Sequence, residues 1–60
     1  MAWVAVDKDS SEWIHKGIPV RSKYDVWIDT SWEGYIELPK GTIKKLIGRE
    51  LTWDDEPVKI

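Results

Sequence analysis

Sixty residues make one domain, 1–60, and a chain of this size buries only about 60% of the surface its unfolded form exposes. Net charge is −2, from nine Lys and Arg against eleven Asp and Glu, which argues against nonspecific nucleic-acid binding as the default. There is no cysteine, so disulfides and thiolate metal sites are excluded, and a reducing cytoplasm is the expected compartment.

No apolar run approaches the roughly 20 residues of a membrane span. The first residues show no basic stretch followed by an apolar one, so no signal peptide and no membrane partner is expected. Five Trp and no Phe is the one unusual compositional feature.

In chain order, Ala2–Val6 is a short apolar run with β character. Asp7-Lys8-Asp9-Ser10-Ser11 is a turn cluster, whose short polar side chains bond nearby backbone. Glu12–Lys16 returns with alternating character. Pairing Val6 with Glu12 sets Val4 opposite Ile14, Ala5 opposite Trp13 and Trp3 opposite His15. One face then carries Val4, Val6 and Ile14, and the other Trp3, Ala5, Trp13 and His15. Both are apolar enough to need cover.

Lys16–Lys23 reads as a connection punctuated by Gly17 and Pro19. Tyr24–Asp29 alternates with period two, and Tyr35–Leu38 reads as its return strand across a Thr30–Gly34 turn. Pairing Ile28 with Ile36 and Val26 with Leu38 aligns the apolar sets. Pro39 ends that strand, because it has no N–H to give a ladder.

Start, period and stop signals for a helix agree only near 42–47. Gly41 or Thr42 serves as N-cap. Ile43, Leu46 and Ile47 form one apolar stripe, and Gly48 closes the last turn. Two turns do not hold in water alone, so the stripe must dock on the sheet, with Leu38 and Leu51 as anchors. Thr52 and Asp55 approximate a capping box for a single further turn. Val58 and Ile60 are expected to face inward from a terminal edge strand.

Chemistry is sparse. Asp7-x-Asp9-x-Ser11 opens like a calcium loop, but Glu12 and Ile18 stand where that loop needs Gly and a carboxylate. His15 has no partner pattern and reads as an ordinary strand histidine. No convergent acid, base, nucleophile or metal set is visible, so no enzyme and no cofactor is expected. Lys16, Arg21 and Lys23 form a basic run that would suit an anion or an acidic partner. Asp54-Asp55-Glu56 is a weak acidic counterpart. The Trp residues are the sharper feature. Trp3, Trp13 and Trp27 are expected on one sheet face and Trp32 in a turn. One short helix covers only one face, so at least one of these four is expected to be exposed as a contact surface.

Leu38–Pro57, LPKGTIKKLIGRELTWDDEP, and more loosely Trp3–Ile14, WVAVDKDSSEWI, resemble small uncharacterised proteins of bacterial phages and prophages. Together they cover about half the chain. That resemblance implies a mobile-element origin and a bacterial host, and it carries no catalytic residue.

The expected fold is α+β: an antiparallel sheet of about four strands in two hairpins, with one short helix. The expected function is a non-enzymatic protein-interaction module. Its candidate binding residues are Trp3, Trp13, Trp27, Trp32, Arg21 and Lys23. Its partner is another protein or a second copy of itself. The alternative is single-stranded nucleic-acid binding, by Trp stacking and the Lys16–Lys23 loop.

Overall fold

The centre of the computed structural model, which describes Met1–Ile60, is the N-terminal hairpin of β1 (Trp3–Val6) and β2 (Glu12–His15). Its register is the one the apolar pattern predicts: Trp3 with His15, Val4 with Ile14, Ala5 with Trp13 and Val6 with Glu12. The turn is built as its sequence suggests, with the Asp9 carboxylate accepting from the Ser11 N–H and hydroxyl.

Both flanks of this hairpin acquire a further antiparallel strand. β5 (Tyr35–Leu38) pairs with β2, and β6 (Val58–Lys59) pairs with β1, giving the order β5-β2-β1-β6. Two rows of side chains therefore cross the sheet. Val58, Val4, Ile14 and Ile36 share one face, while Lys59, Trp3, His15 and Tyr35 share the other.

α1 (Thr42–Ile47) lies on the first face. Ile43 enters a buried cluster with Val4, Val6 and Leu51, and Ile14, Leu38, Ile47 and Val58 pack around it. Leu38 and Leu51 are thus the anchors the sequence suggests. Leu46 departs from the expected stripe and is 52% exposed. A six-residue helix reaches the small sheet with little more than one turn. At the C-terminus, Gly48 takes φ 81° and donates its N–H to the Lys44 carbonyl, a backbone state in which a side chain would be strained.

The start of α1 is capped from outside. Gly41 is the N-cap, but no side chain of its own end does the capping. Instead the Glu12 carboxylate accepts the Gly41 N–H at 2.7 Å and the Ile43 N–H at 2.8 Å. This explains a charged residue on the core-facing side of β2: it meets the orphan donors and positive dipole end of the helix. Glu12→Ala is expected to lower stability by about 1–2 kcal/mol, the range for a lost N-cap. Urea titration followed by circular dichroism measures it. Glu12→Gln, which keeps an acceptor, should lose less.

The second half of the chain corrects the expected hairpin. Tyr35–Leu38 does not return along Tyr24–Asp29. Ile36 pairs with Ile14, and Leu38 with Glu12. Ile28 pairs with Val20 and Trp27 with Arg21, as β4 (Trp27–Ile28) and β3 (Val20–Arg21) form a separate two-stranded sheet. The even alternation of Tyr24–Asp29 is broken because Asp25 sits at φ 64°, in the left-handed region that interrupts an extended run. The expected Lys16–Lys23 connection accordingly contains a strand.

This small hairpin crosses the sheet's second face, which is therefore not left bare. Trp27 is 7% exposed. Its backbone N–H donates to Asp7 Oδ1 and its indole N–H to the Val6 carbonyl, both at 2.9 Å. Trp27 thus belongs to the cover, while Trp3 and Trp13 belong to the sheet beneath. The Thr52–Asp55 pair closes a turn and makes no helix: Asp55 Oδ2 accepts the Thr52 N–H, and the Asp55 N–H donates back to the Thr52 carbonyl. Ile60 is 43% exposed rather than inward, although its N–H and carbonyl both bond Ala2.

Candidate functional site

The cover over the second face is incomplete, and the gap is lined by aromatic rings. A cleft of about 410 Å³ opens between the sheet and the β3–β4 hairpin. Trp13, His15 and Tyr35 form its sheet wall, and Trp27, Asp29 and Trp32 its hairpin wall. Trp13 meets Tyr35 edge-on, ring centroids 5.6 Å apart. The His15 ring stacks on Tyr35 at 5.4 Å.

Trp32 stands at the rim, 98% exposed. It is held out by the turn that carries it. The Asp29 carboxylate accepts from the Ser31 N–H and hydroxyl, and Ser31 Oγ accepts the Glu33 N–H. Trp32 itself takes φ 60°, which is uncommon for a bulky residue and carries strain. Gly17 presses against this turn so closely that a Cβ there would overlap the Ser31 side chain. A glycine at 17 is what lets the turn lie down on the sheet end.

Two groups in the cleft are buried and titratable. His15 is 2% exposed, and neither ring nitrogen has a hydrogen-bond partner. Burial depresses its pKa below the ordinary 6.5, opposed by the nearby Asp29 and Asp7 carboxylates. Asp7 is 6% exposed, and burial raises its pKa despite the Trp27 N–H it accepts. Asp29 is held below the usual carboxylate range, first by the Ser31 hydroxyl. The cleft therefore combines an imidazole kept neutral with an anionic rim. No group of three or more His, Cys, Asp or Glu is placed to hold a metal ion.

Asp7 makes a pH-dependent prediction. Its folded pKa lies above the unfolded value of 3.8. Its contribution is therefore most favourable below that value and declines as pH rises through the folded pKa. Asp7→Asn keeps an oxygen for the Trp27 N–H and removes the buried charge. The variant should be the more stable protein at neutral pH, with the difference shrinking on acidification. Thermal melts across a pH series measure this, and a variant less stable at every pH would contradict it.

No family model, curated protein or solved structure matches the chain.

Of the residues expected to bind, the structure brings Trp13, Trp27 and Trp32 to this cleft. Trp3 lies in the same sheet row as His15, half-buried, with Lys59 Nζ 5.9 Å from its ring. Arg21 is elsewhere and engaged internally. Its guanidinium lies 4.8 Å from both the Trp27 and Trp53 ring centroids, and it donates to the Trp53 and Asp55 carbonyls. Arg21 thus ties the C-terminal segment to the covering hairpin. Lys23 rests over its neighbour Tyr24 at 5.4 Å. The Lys16–Lys23 run does not form one basic patch with the aromatic cleft, none of whose lining residues is Lys or Arg.

Sequence reasoning missed Asp7, His15, Asp29 and Tyr35 as one constellation. The signal that could have found it is the repeated oxygen spacing of Asp29-x-Ser31-x-Glu33. It resembles Asp7-x-Asp9-x-Ser11 and marks a built turn on each side of the cleft.

The apolar surface continues past the cleft. Tyr35, which lines it, also lines a groove of about 650 Å³ with Met1, Ile14 and Ile36. Ile36 is 68% exposed because it ends its row on edge strand β5, beyond the reach of α1. Trp32, Tyr35 and Ile36 thus run around one open sheet edge.

Proposed function

We propose that this chain is a small non-enzymatic protein-interaction module, which engages its partner through the surface of Trp32, Tyr35 and Ile36 on the open β5 edge. The observation that carries this reading is Trp32, almost fully exposed at a strained backbone angle and fixed there by side-chain bonds. Left in water, a ring of that size gains nothing for folding, whereas at an interface aromatic rings are the usual energetic anchors. The adjoining edge strand offers unpaired backbone groups to an incoming strand. The partner is a protein of the bacterial host or of the mobile element itself, following the resemblance of Leu38–Pro57. A second copy of this chain is the other occupant.

The non-enzymatic part is carried over from the sequence, in which no convergent acid, base, nucleophile or metal set stands out. Stacking of a single-stranded nucleic acid on Trp32 is the second reading. It has the exposed ring in its favour and the anionic Asp29 beside that ring against it.

A photo-reactive residue placed at position 32, with a control at exposed Lys45, tests the proposal in a bacterial lysate. Cross-linking to one defined protein from position 32 and not from 45, competed by unlabelled wild-type chain and not by Trp32→Ala, supports it. Equal cross-linking from both positions, or none, overturns it. Cross-links to nucleic acid alone, lost at high salt, would favour the second reading.

A further inference from the structure

We propose that the cleft beneath Trp32 receives a basic side chain, Lys or Arg, of the partner protein. This deepens the interaction reading and rests on it.

The lining chemistry has one sign. Trp13, Trp32 and Tyr35 contribute aromatic surface, Trp27 the part of its ring that Arg21 and Trp53 leave free, Asp7 and Asp29 carboxylates, and the rest is aliphatic apart from His15. The negative faces of aromatic rings and the carboxylates attract the same kind of ligand, an organic cation. The protein's own cations are kept out. Arg21 lies over both Trp27 and Trp53 and does not line the cleft, Lys8 pairs with Asp25 at 3.8 Å, and Lys23 covers Tyr24. No Lys or Arg of the chain lines the cleft, and a positively charged ligand with N–H donors complements the groups that do.

His15 decides between kinds of cation. It is a buried side chain with two unpaired polar atoms against the sheet wall of the cleft. The one unprotonated ring nitrogen of the neutral imidazole and the carboxylates accept, and so reward N–H donors. An ammonium or guanidinium supplies them, and a quaternary ammonium does not. Tyr35, whose ring stacks on His15, is 56% exposed on an edge strand, so a ligand that reaches the imidazole must displace that ring. The partner origin of the cation follows from the rim. Ile28 and Trp32 are exposed beside the opening and would touch the main chain that carries the basic side chain.

The test is a nuclear magnetic resonance titration of the intact chain with four probes: acetyl-Ala-Lys-Ala-amide, its Arg counterpart, its norleucine counterpart and n-butylamine. The proposal expects the Lys or Arg peptide to shift the Trp13, Trp32 and His15 resonances saturably. The norleucine peptide should bind at least tenfold more weakly. Asp29→Asn, whose amide oxygen can still accept from Ser31, should weaken the basic peptide at least fivefold without altering the free spectrum elsewhere. Norleucine binding as well as Lys and Arg, shifts away from the cleft, or no effect of Asp29→Asn overturns it. So does n-butylamine binding as tightly as the Lys peptide, which would mark a site for free amines. If no basic peptide binds while position 32 still cross-links to a protein, the charge assignment fails and the interaction reading stands.

Discussion

Trp27→Ala is expected to remove about half or more of the stability of the fold. The indole is the keystone between the two sheets. Its N–H donates to the Val6 carbonyl, its backbone N–H to Asp7, and its ring meets Trp53 edge-on at 5.5 Å, with Arg21 above both. Truncating a buried Trp costs about 3–5 kcal/mol. A domain of this length holds only roughly 3–9 kcal/mol in total, at about 0.05–0.15 kcal/mol per residue. Trp27→Phe keeps most of the ring and leaves the Val6 carbonyl unpaired, a loss of about 1–3 kcal/mol. Urea titration followed by far-ultraviolet circular dichroism separates the three proteins. A Trp27→Ala chain unfolding cooperatively near the wild-type midpoint would show that the β3–β4 hairpin is not integral to the fold.

His15→Phe is expected to act in the opposite direction. Two polar atoms are buried without partners, and each carries a desolvation penalty of about 1–3 kcal/mol. Phe keeps the stack on Tyr35 and removes both atoms, so a gain of about 2 kcal/mol follows on the same scale. That corresponds to a melting temperature higher by roughly 8–16 °C, at about 4–8 °C per kcal/mol for a small domain. The wild type should also carry a pH signature. The folded pKa of His15 lies below the unfolded 6.5, so the unfolded chain takes up the proton first. The stability associated with His15 is fully present above that value and is lost as pH falls from it through the folded pKa. His15→Phe should flatten this slope. If the variant melts at or below the wild-type temperature, the imidazole is making hydrogen bonds that stabilise the fold. The same substitution removes an acceptor from the cleft, so stability and binding of a basic peptide should move apart.

The N-terminal half was legible because each local signal agreed with the tertiary outcome. Alternation in Trp3–Val6 and Glu12–His15, around a turn of short polar residues, leaves one sensible register, and that register forms. The helix at 42–47 was legible for the same reason, since Ile43 and Ile47 are spaced for one face and Gly48 stops it. Its cap was not, because the capping carboxylate comes from Glu12, far away in sequence.

The hairpin error has a physical root. Tyr24–Asp29 and Tyr35–Leu38 both alternate, and pattern alone rewards pairing neighbours. In the fold, β5 finds a better partner in β2, where Ile36 meets Ile14 and Tyr35 meets His15. The Gly17–Gly34 segment is thereby freed to cross the second face. The cleft exists because of that crossing, and no local pattern in Gly17–Gly34 signals it. Trp32 stands out differently. Its exposure follows from a turn position, which the sequence shows, and the rings around it follow from topology, which the sequence hides.

Trp32 itself offers the most direct check. Acrylamide quenching and emission spectra of the wild type and of Trp32→Phe are compared at concentrations where light scattering gives the monomer mass. One indole of the five should be freely quenched and red-shifted, and that component should vanish in Trp32→Phe with the circular dichroism unchanged. If Trp32→Phe leaves quenching and emission as they were, the ring is sheltered within its own chain, and the presented surface on which the functional reading stands does not exist.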